Sequence, residues 1–383
     1  MVIRRDCETA EDLGGLQSLA QRVWSAERRF HIGDIAWGWH SISSAQTAFR
    51  VSIWEEHGVV LAWTWVELPG HVELLVDPDA VELLPRLLDW SETVSPGSTL
   101  SCQVMEGDRH LRRALTRRGY TAQEDGPFFR RHVHDLADLP APSLPDGFVI
   151  SHVVGGDAER RAAVHRAGWS DFGSRLTTES YRNVMAAYPY REQTDLVVLA
   201  PDGEWVASAL GWYDDVNKVG LVEPVSCAPA FRGSGLAKAV NIALLHTFRS
   251  LGATQSTILP RGDQAYPAPA HLYQSIGYQP GPRTLHYTRN SSILRAAQPA
   301  LVSHDQYRST HRPAPRQSSS SFSSEKGPGP DDCDGTSRSD LPPRPSRVRR
   351  RCRAGSRTPR DRSASGTRSS DRILPQPREP DHP

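Results

Sequence analysis

Arg232-Gly233-Ser234-Gly235-Leu236-Ala237 is the stretch of this 383-residue chain best suited to hold an anion. It follows an apolar run at residues 220–227 that reads as a strand. It leads into residues 236–251, where Leu236, Val240, Ala243, Leu244 and Phe248 recur at a helical period. The first amides of a helix have no intrahelical acceptor, and the helix dipole makes that end partly positive. Gly233 and Gly235 remove the side chains that would hold a phosphate away from those amides. The predicted chemistry is therefore main-chain recognition of a phosphate or pyrophosphate.

Spacing separates the loops that could do this. A P-loop needs Lys-Ser or Lys-Thr after its last glycine, whereas Lys238 is followed by Ala239. A dinucleotide loop needs a third glycine where Lys238 stands. The remaining pattern, R-x-x-G-x-A, resembles the loop with which the GNAT acyltransferase superfamily binds the pyrophosphate of acetyl-CoA. The plain alternative for the segment is a strand–turn–helix without a ligand. A second stretch, Ala270-His271-Leu272-Tyr273-Gln274-Ser275-Ile276-Gly277-Tyr278, resembles the A-x-x-L-Y-x-x-x-G-[FY] signature of the same family. It begins a helix after the next predicted strand, residues 254–259, in the family's order. Leu272 and Ile276 are expected to face the core, with Gly277 ending the helix and Tyr273 turned toward a cleft.

The resemblance implies an α/β fold, acetyl-CoA as acyl donor, and an amine on a small molecule or peptide as acceptor. It implies that the strand bearing Glu223 splays at a bulge to admit pantetheine. Backbone amides near Ser226, Cys227 and Ala228 would line that gap, and Arg232, Gly233, Ser234, Gly235, Leu236 and Ala237 would hold the phosphates. Tyr273 would be the general acid that protonates the departing thiolate. Glu223 would be the general base, since a carboxylate among Val222, Pro224 and Val225 should hold its proton more tightly than in water. The bland reading of Glu223 is a solvated strand-end carboxylate or a partner of Lys218. That of Tyr273 is a tyrosine capping the core, and that of Arg232 a solvated surface arginine. Many family members carry an Asn seven residues before the tyrosine, but Tyr266 stands there, followed by Pro267-Ala268-Pro269. Acceptor specificity would come from residues 169–190, rich in aromatics (Trp169, Phe172, Tyr181, Tyr188, Tyr190), although an aromatic stripe is more often core. Thr177 precedes a predicted helix there as its cap.

Composition narrows the setting. Net charge is +1, so bulk charge points to neither nucleic acid nor an anionic membrane as partner. No run approaches the ~18 apolar residues of a membrane helix, and the first fifteen residues lack an apolar signal core, so a cytoplasmic protein is expected. Cys7, Cys102, Cys227, Cys333 and Cys352 are scattered, with no C-x-x-C pair or histidine at metal spacing, so no metal is expected.

Two globular segments, 1–135 and 147–289, flank a Pro-rich linker at 136–146. A Ser/Arg/Pro-rich stretch, 290–383, reads as a disordered tail. The segments look like copies in tandem. Each has a strand ending near a tryptophan (Trp65, Trp212), a second strand, an Xaa-Pro turn, a helix, a strand and a Gly-Tyr helix end. The Pro-to-Gly spacings are comparable, 41 residues against 48. A tandem GNAT arrangement, each unit a mixed, mostly antiparallel sheet flanked by helices, is the expected fold. The first copy reads Asp79-Ala80-Val81-Glu82-Leu83-Leu84 at the cradle and Leu115 in place of Tyr273, so it should be a scaffold without chemistry. Two rivals remain: an acyl-CoA-binding regulator that transfers nothing, and a nucleic-acid binder acting through the arginine run at residues 347–353. The sequence does not fix the oligomeric state.

Overall fold

The same order of elements occurs twice along the chain, apart from one extra short strand, Thr121–Gln123, in the first pass. The first pass runs β1 (Ile3–Asp6), α1 (Leu13–Arg22), α2 (Ile32–His40), β2 (Phe49–Glu56), β3 (Val59–Glu67), β4 (His71–Val76), α3 (Leu84–Val94), β5 (Thr99–Met105), α4 (Arg109–Arg117), β6 (Thr121–Gln123) and β7 (Arg130–His134). The second runs β8 (Val149–His152), α5 (Ala158–Gly168), α6 (Thr178–Ala186), β9 (Asp195–Leu199), β10 (Trp205–Asp214), β11 (Val219–Cys227), α7 (Leu236–Ser250), β12 (Gln255–Ile258), α8 (Ala268–Ile276) and β13 (Gln279–Asn290). This computed structural model describes residues 1–290 except 42–48, 96, 98 and 125. The predicted disordered tail, with Cys333, Cys352 and the arginine run, lies outside the described residues.

The strands form one sheet in the order β1-β2-β3-β4-β5-β13-β7-β12-β11-β10-β9-β8, with β6 beside β13. All pairings are antiparallel except β4–β5 and β11–β12, which matches the mixed, mostly antiparallel α/β fold expected. The order reveals a reciprocal exchange. The last strand of the first pass, β7, pairs with β12, Thr257 opposite Val133. The last strand of the second, β13, pairs with β5 from Thr284↔Met105 to Asn290↔Thr99. These two strands then pair with each other and join the halves.

Apolar periodicity decides what each helix covers. Helix α7 lays Leu236, Val240, Leu244 and Phe248 over Val206, Val222 and Ile258 on one face of the second half. On the opposite face, α5 and α6 pack Ala158, Ala162, Tyr181 and Val184 against Leu210, Trp212 and Leu221. Helix α2 serves both halves: Ile32 and Ile35 enter the core of the first half, whereas Ala36 joins that second-half cluster. Gly33 makes the crossing possible, because a Cβ there would lie 2.3 Å from Trp212 Cβ. The Pro-rich stretch lies against the body. Leu136 is buried with the α7 core, and Pro140 O accepts from His246 Nε2 at 2.9 Å.

Candidate functional site

The glycine loop between β11 and α7 has the geometry that an anion requires. Gly233 and Gly235 both take positive φ, 82° and 85°, and a Cβ at either would meet nothing within 4 Å. Gly235 begins α7 without any side-chain cap, and the first intrahelical bond runs from Ala239 N–H to Gly235 O at 2.9 Å. The amides before Ala239 thus have no acceptor within the helix, and the dipole adds positive potential where the space is open. Arg232 anchors the loop: it donates to Asp171, to Gly168 O at 3.0 Å and to Cys227 O at 3.4 Å. Its guanidinium therefore holds the turn in shape. The first half closes its own turn differently. Asp77 accepts from Asp79 N–H at 3.0 Å and pairs with Arg22 at 2.9 Å, capping the short turn that precedes α3, and α3 itself begins at Leu84 with no glycine before it.

Beside the loop, the sheet opens. Strand β11 pairs in parallel with β12 only at Val219, Gly220 and Leu221, so its remaining residues lack that neighbour. On its other edge the ladder with β10 passes from Gly211↔Val222 to Ala209↔Val225, so Glu223 and Pro224 together oppose Leu210. That is a bulge, and it bends the strand away at the opening. In the first half the corresponding ladder is regular, with Trp65 opposite Glu73. Side chains secure the bulge: Trp212 Nε1–H donates to Glu223 O at 2.7 Å and Trp169 Nε1–H to Val225 O at 3.0 Å. Alternation along β11 places Glu223 on the face of Leu221, toward α2, α5 and α6.

Of the three amides offered to pantetheine by the sequence, that of Ala228 is donated to Val206 O at 2.8 Å. Alternation then turns the Ser226 N–H toward β10 and the Cys227 N–H toward the opening. The Ser226 hydroxyl lies 2.6 Å from that of Ser208. Gly168 packs so closely that a Cβ there would lie 2.7 Å from Cys227 N, bringing the end of α5 onto the strand.

Tyr273 descends from α8 into this region. Leu272 and Ile276 face the core as expected, Ile276 buried and Leu272 half-buried against it, and Tyr273 is buried in the same core. The Tyr273 ring meets Tyr278 edge-on at 5.8 Å. Burial raises its phenol well above the ordinary value, with Glu223, Tyr278 and Tyr266 adding to the shift, so it stays protonated at neutral pH. Tyr266, in the place of the family's Asn, lies edge-on to Phe172 at 5.5 Å and bridges the two sides of the opening.

The aromatic segment divides. Tyr181 is core, its hydroxyl bonded to Asp195, while Trp169 and Phe172 are half-buried and pack on each other at 5.3 Å. Thr177 caps α6, its hydroxyl accepting from Ser180 N–H at 3.0 Å. Sequence reasoning missed Trp37, His165 and Trp212. His165 stacks on Trp169 at 5.8 Å and meets Trp37 at 5.5 Å, and burial together with Arg161 and Arg166 lowers its pKa to about 3. Nothing local in the sequence links Trp37, a residue of α2, to Glu223. Among the described residues no group of three or more His, Cys, Asp or Glu could hold a metal ion, and no helix is long and apolar enough to cross a membrane.

Residues 161–278 match the acetyltransferase (GNAT) family, a span that runs from α5 to Tyr278 and includes the loop, the bulge and Tyr273. No curated protein matches the chain in sequence. A tandem GNAT protein from the clavulanic acid biosynthesis pathway superposes with a TM-score of 0.53 at 13% identity, over 76% of this chain and 98% of that one. A GCN5-related N-acetyltransferase from Sphaerobacter thermophilus gives 0.51 at 17% identity, over 75% and 95%. A GNAT-family acetyltransferase from Colwellia psychrerythraea gives 0.50 at 14%, over 75% and 99%. Identities this low speak for the fold. The chain thus carries an acetyltransferase domain of the GNAT family at residues 161–278, within a tandem GNAT-like fold.

Proposed function

We infer that the protein is an N-acyltransferase that moves an acetyl group from acetyl-CoA to a primary amine of a small molecule or peptide, in the cytoplasm, using one site in the second half. The observation that carries this is the opening itself. Parallel pairing ends at Leu221↔Thr257, and the bulge begins two residues later at Glu223. The glycine cradle lies at the far end of the same strand, and Tyr273 comes within electrostatic reach of Glu223.

The acyl donor fits the residues present. Amides at the start of α7 and the open space at Gly233 and Gly235 suit a pyrophosphate, and the Cys227 N–H, on the edge of β11 beyond the end of β12, suits an amide carbonyl of pantetheine. Glu223 takes the proton of the acceptor ammonium, directly or through water. The freed amine nitrogen attacks the thioester carbonyl carbon, the carbon–sulfur bond breaks, the Tyr273 phenol gives its proton to the departing thiolate, and the second proton lost by the nitrogen passes through solvent to restore the phenol. Arg232 keeps the cradle in shape.

The test is thiol release from acetyl-CoA by the full chain across a panel of primary amines, with acetylated product identified by mass. Glu223→Gln should lower kcat/KM by about 10²-fold or more. Coenzyme binding without release on any amine would instead favour a regulator that binds acyl-CoA.

A further inference from the structure

Five rings follow one another along the face of the sheet that Glu223 shares. Tyr266 meets Phe172 at 5.5 Å, Phe172 meets Trp169 at 5.3 Å, Trp169 stacks on His165 at 5.8 Å, and His165 meets Trp37 at 5.5 Å. His165 is buried, but Trp37, Trp169, Phe172 and Tyr266 are each half-buried, unlike the core aromatics Tyr181, Trp212 and Phe248. The run begins in the loop before α8, crosses the opening, and ends on α2 of the half without a cradle. Helix α2 is held there by the fit of Gly33 on Trp212, the residue that also fixes the Glu223 carbonyl.

Charge at the rim narrows what this wall could receive. Asp171 is paired with Arg232, and Asp263 with Arg261, whose guanidinium also lies 5.8 Å from the Tyr266 ring. These two carboxylates are thus each neutralised by an arginine of their own neighbourhood, which leaves Glu223 as the carboxylate that meets the amine. A polyamine needs several carboxylates along its length, and an amino sugar needs a spread of hydrogen-bonding groups. A wall of indole and phenyl surface supplies neither, but suits an apolar body and tolerates one ammonium group near its π-faces.

Resting on the acetyl-transfer reading, we propose that the acceptor is a monoamine on an aromatic or similarly apolar body. Its pocket is composite, Trp37 of the first half completing the wall formed by Trp169, Phe172 and Tyr266. The first half thereby sets acceptor choice.

The full chain with acetyl-CoA should be offered 2-phenylethylamine, spermidine and glucosamine, and thiol release followed. The proposal expects kcat/KM for the arylalkylamine to exceed the other two by about tenfold or more. Phe172→Ala and Trp37→Ala should each raise its KM by about tenfold, while Trp37→Phe keeps most of the affinity and coenzyme A binding persists in all three. Preference for spermidine or glucosamine, or a KM indifferent to both alanine variants, overturns the proposal. Should no amine be turned over, quenching of tryptophan fluorescence by 2-phenylethylamine, in the presence of coenzyme A, decides between the two ideas. Saturable quenching lost in Trp37→Ala keeps the aromatic pocket and removes the transfer reading. Absence of quenching removes the pocket.

Discussion

Trp212 donates its indole N–H to the carbonyl of Glu223 across 2.7 Å, so the bulge is held by a buried side chain as well as by its ladder. The same indole supports α2 through Gly33. One residue therefore ties the candidate base to the packing of the two halves. Trp212→Phe keeps a ring but removes the indole donor to the Glu223 carbonyl. The fold should lose about 1–3 kcal/mol in denaturant unfolding, and kcat/KM should fall with it while coenzyme A still binds. An unchanged kcat/KM would mean that the bulge holds itself.

The cradle makes a separate prediction. Gly235 has φ of 85°, a conformation that side chains disfavour, and the space beside it is open. Gly235→Ala should cost about 1 kcal/mol of stability and weaken coenzyme A binding several-fold by calorimetry. Asp77→Ala, in the closed turn of the first half, should not create a second binding event.

Acid should destabilise the protein before the carboxylates titrate. Burial, offset in part by Asp34 and Asp214, lowers the pKa of His31 to about 4, and burial with Arg161 and Arg166 lowers that of His165 to about 3. Both side chains are neutral when folded and bind a proton near pH 6.5 when unfolded, so the unfolded chain gains protons first as pH falls. The stability they confer is fully present above about pH 6.5. It declines below that by up to about 1.4 kcal/mol per pH unit for each histidine. Urea midpoints at pH 7, 6 and 5 should show this slope, and His165→Phe should make it shallower.

The exchange of β7 and β13 predicts that the halves cannot be separated. A fragment of residues 147–290 would lack the antiparallel partner of β12 and leave β13 without β5. Such unpaired edges invite association. The fragment should fail to unfold cooperatively as a monomer and should not bind coenzyme A. Cooperative unfolding with binding intact would contradict this reading of the topology.

The parts legible in the sequence are those built from neighbours along the chain. The strand, glycine pair and helix around Ser234, and the helix ending at Gly277, each declare themselves through local spacing and backbone need. The bulge at Glu223 was expected only through the family resemblance and not from local spacing, because it exists only relative to Leu210 on the adjacent strand. Leu272 packs against the core as its helical period suggests, yet the neighbouring Tyr273 is the more deeply buried of the two. Trp37 and the strand exchange were invisible to local spacing. Each depends on contacts between residues more than a hundred positions apart, and the strands involved have ordinary patterns.

Single-turnover release of thiol from saturating acetyl-CoA, with an accepted amine, tests the central claim most directly in wild type against Tyr273→Phe. The buried, protonated phenol beside Glu223 predicts a rate lower by about 10²-fold in the variant, with coenzyme A affinity retained. Equal rates in the two proteins would show that the thiolate leaves without Tyr273, and the assignment of this site would fall.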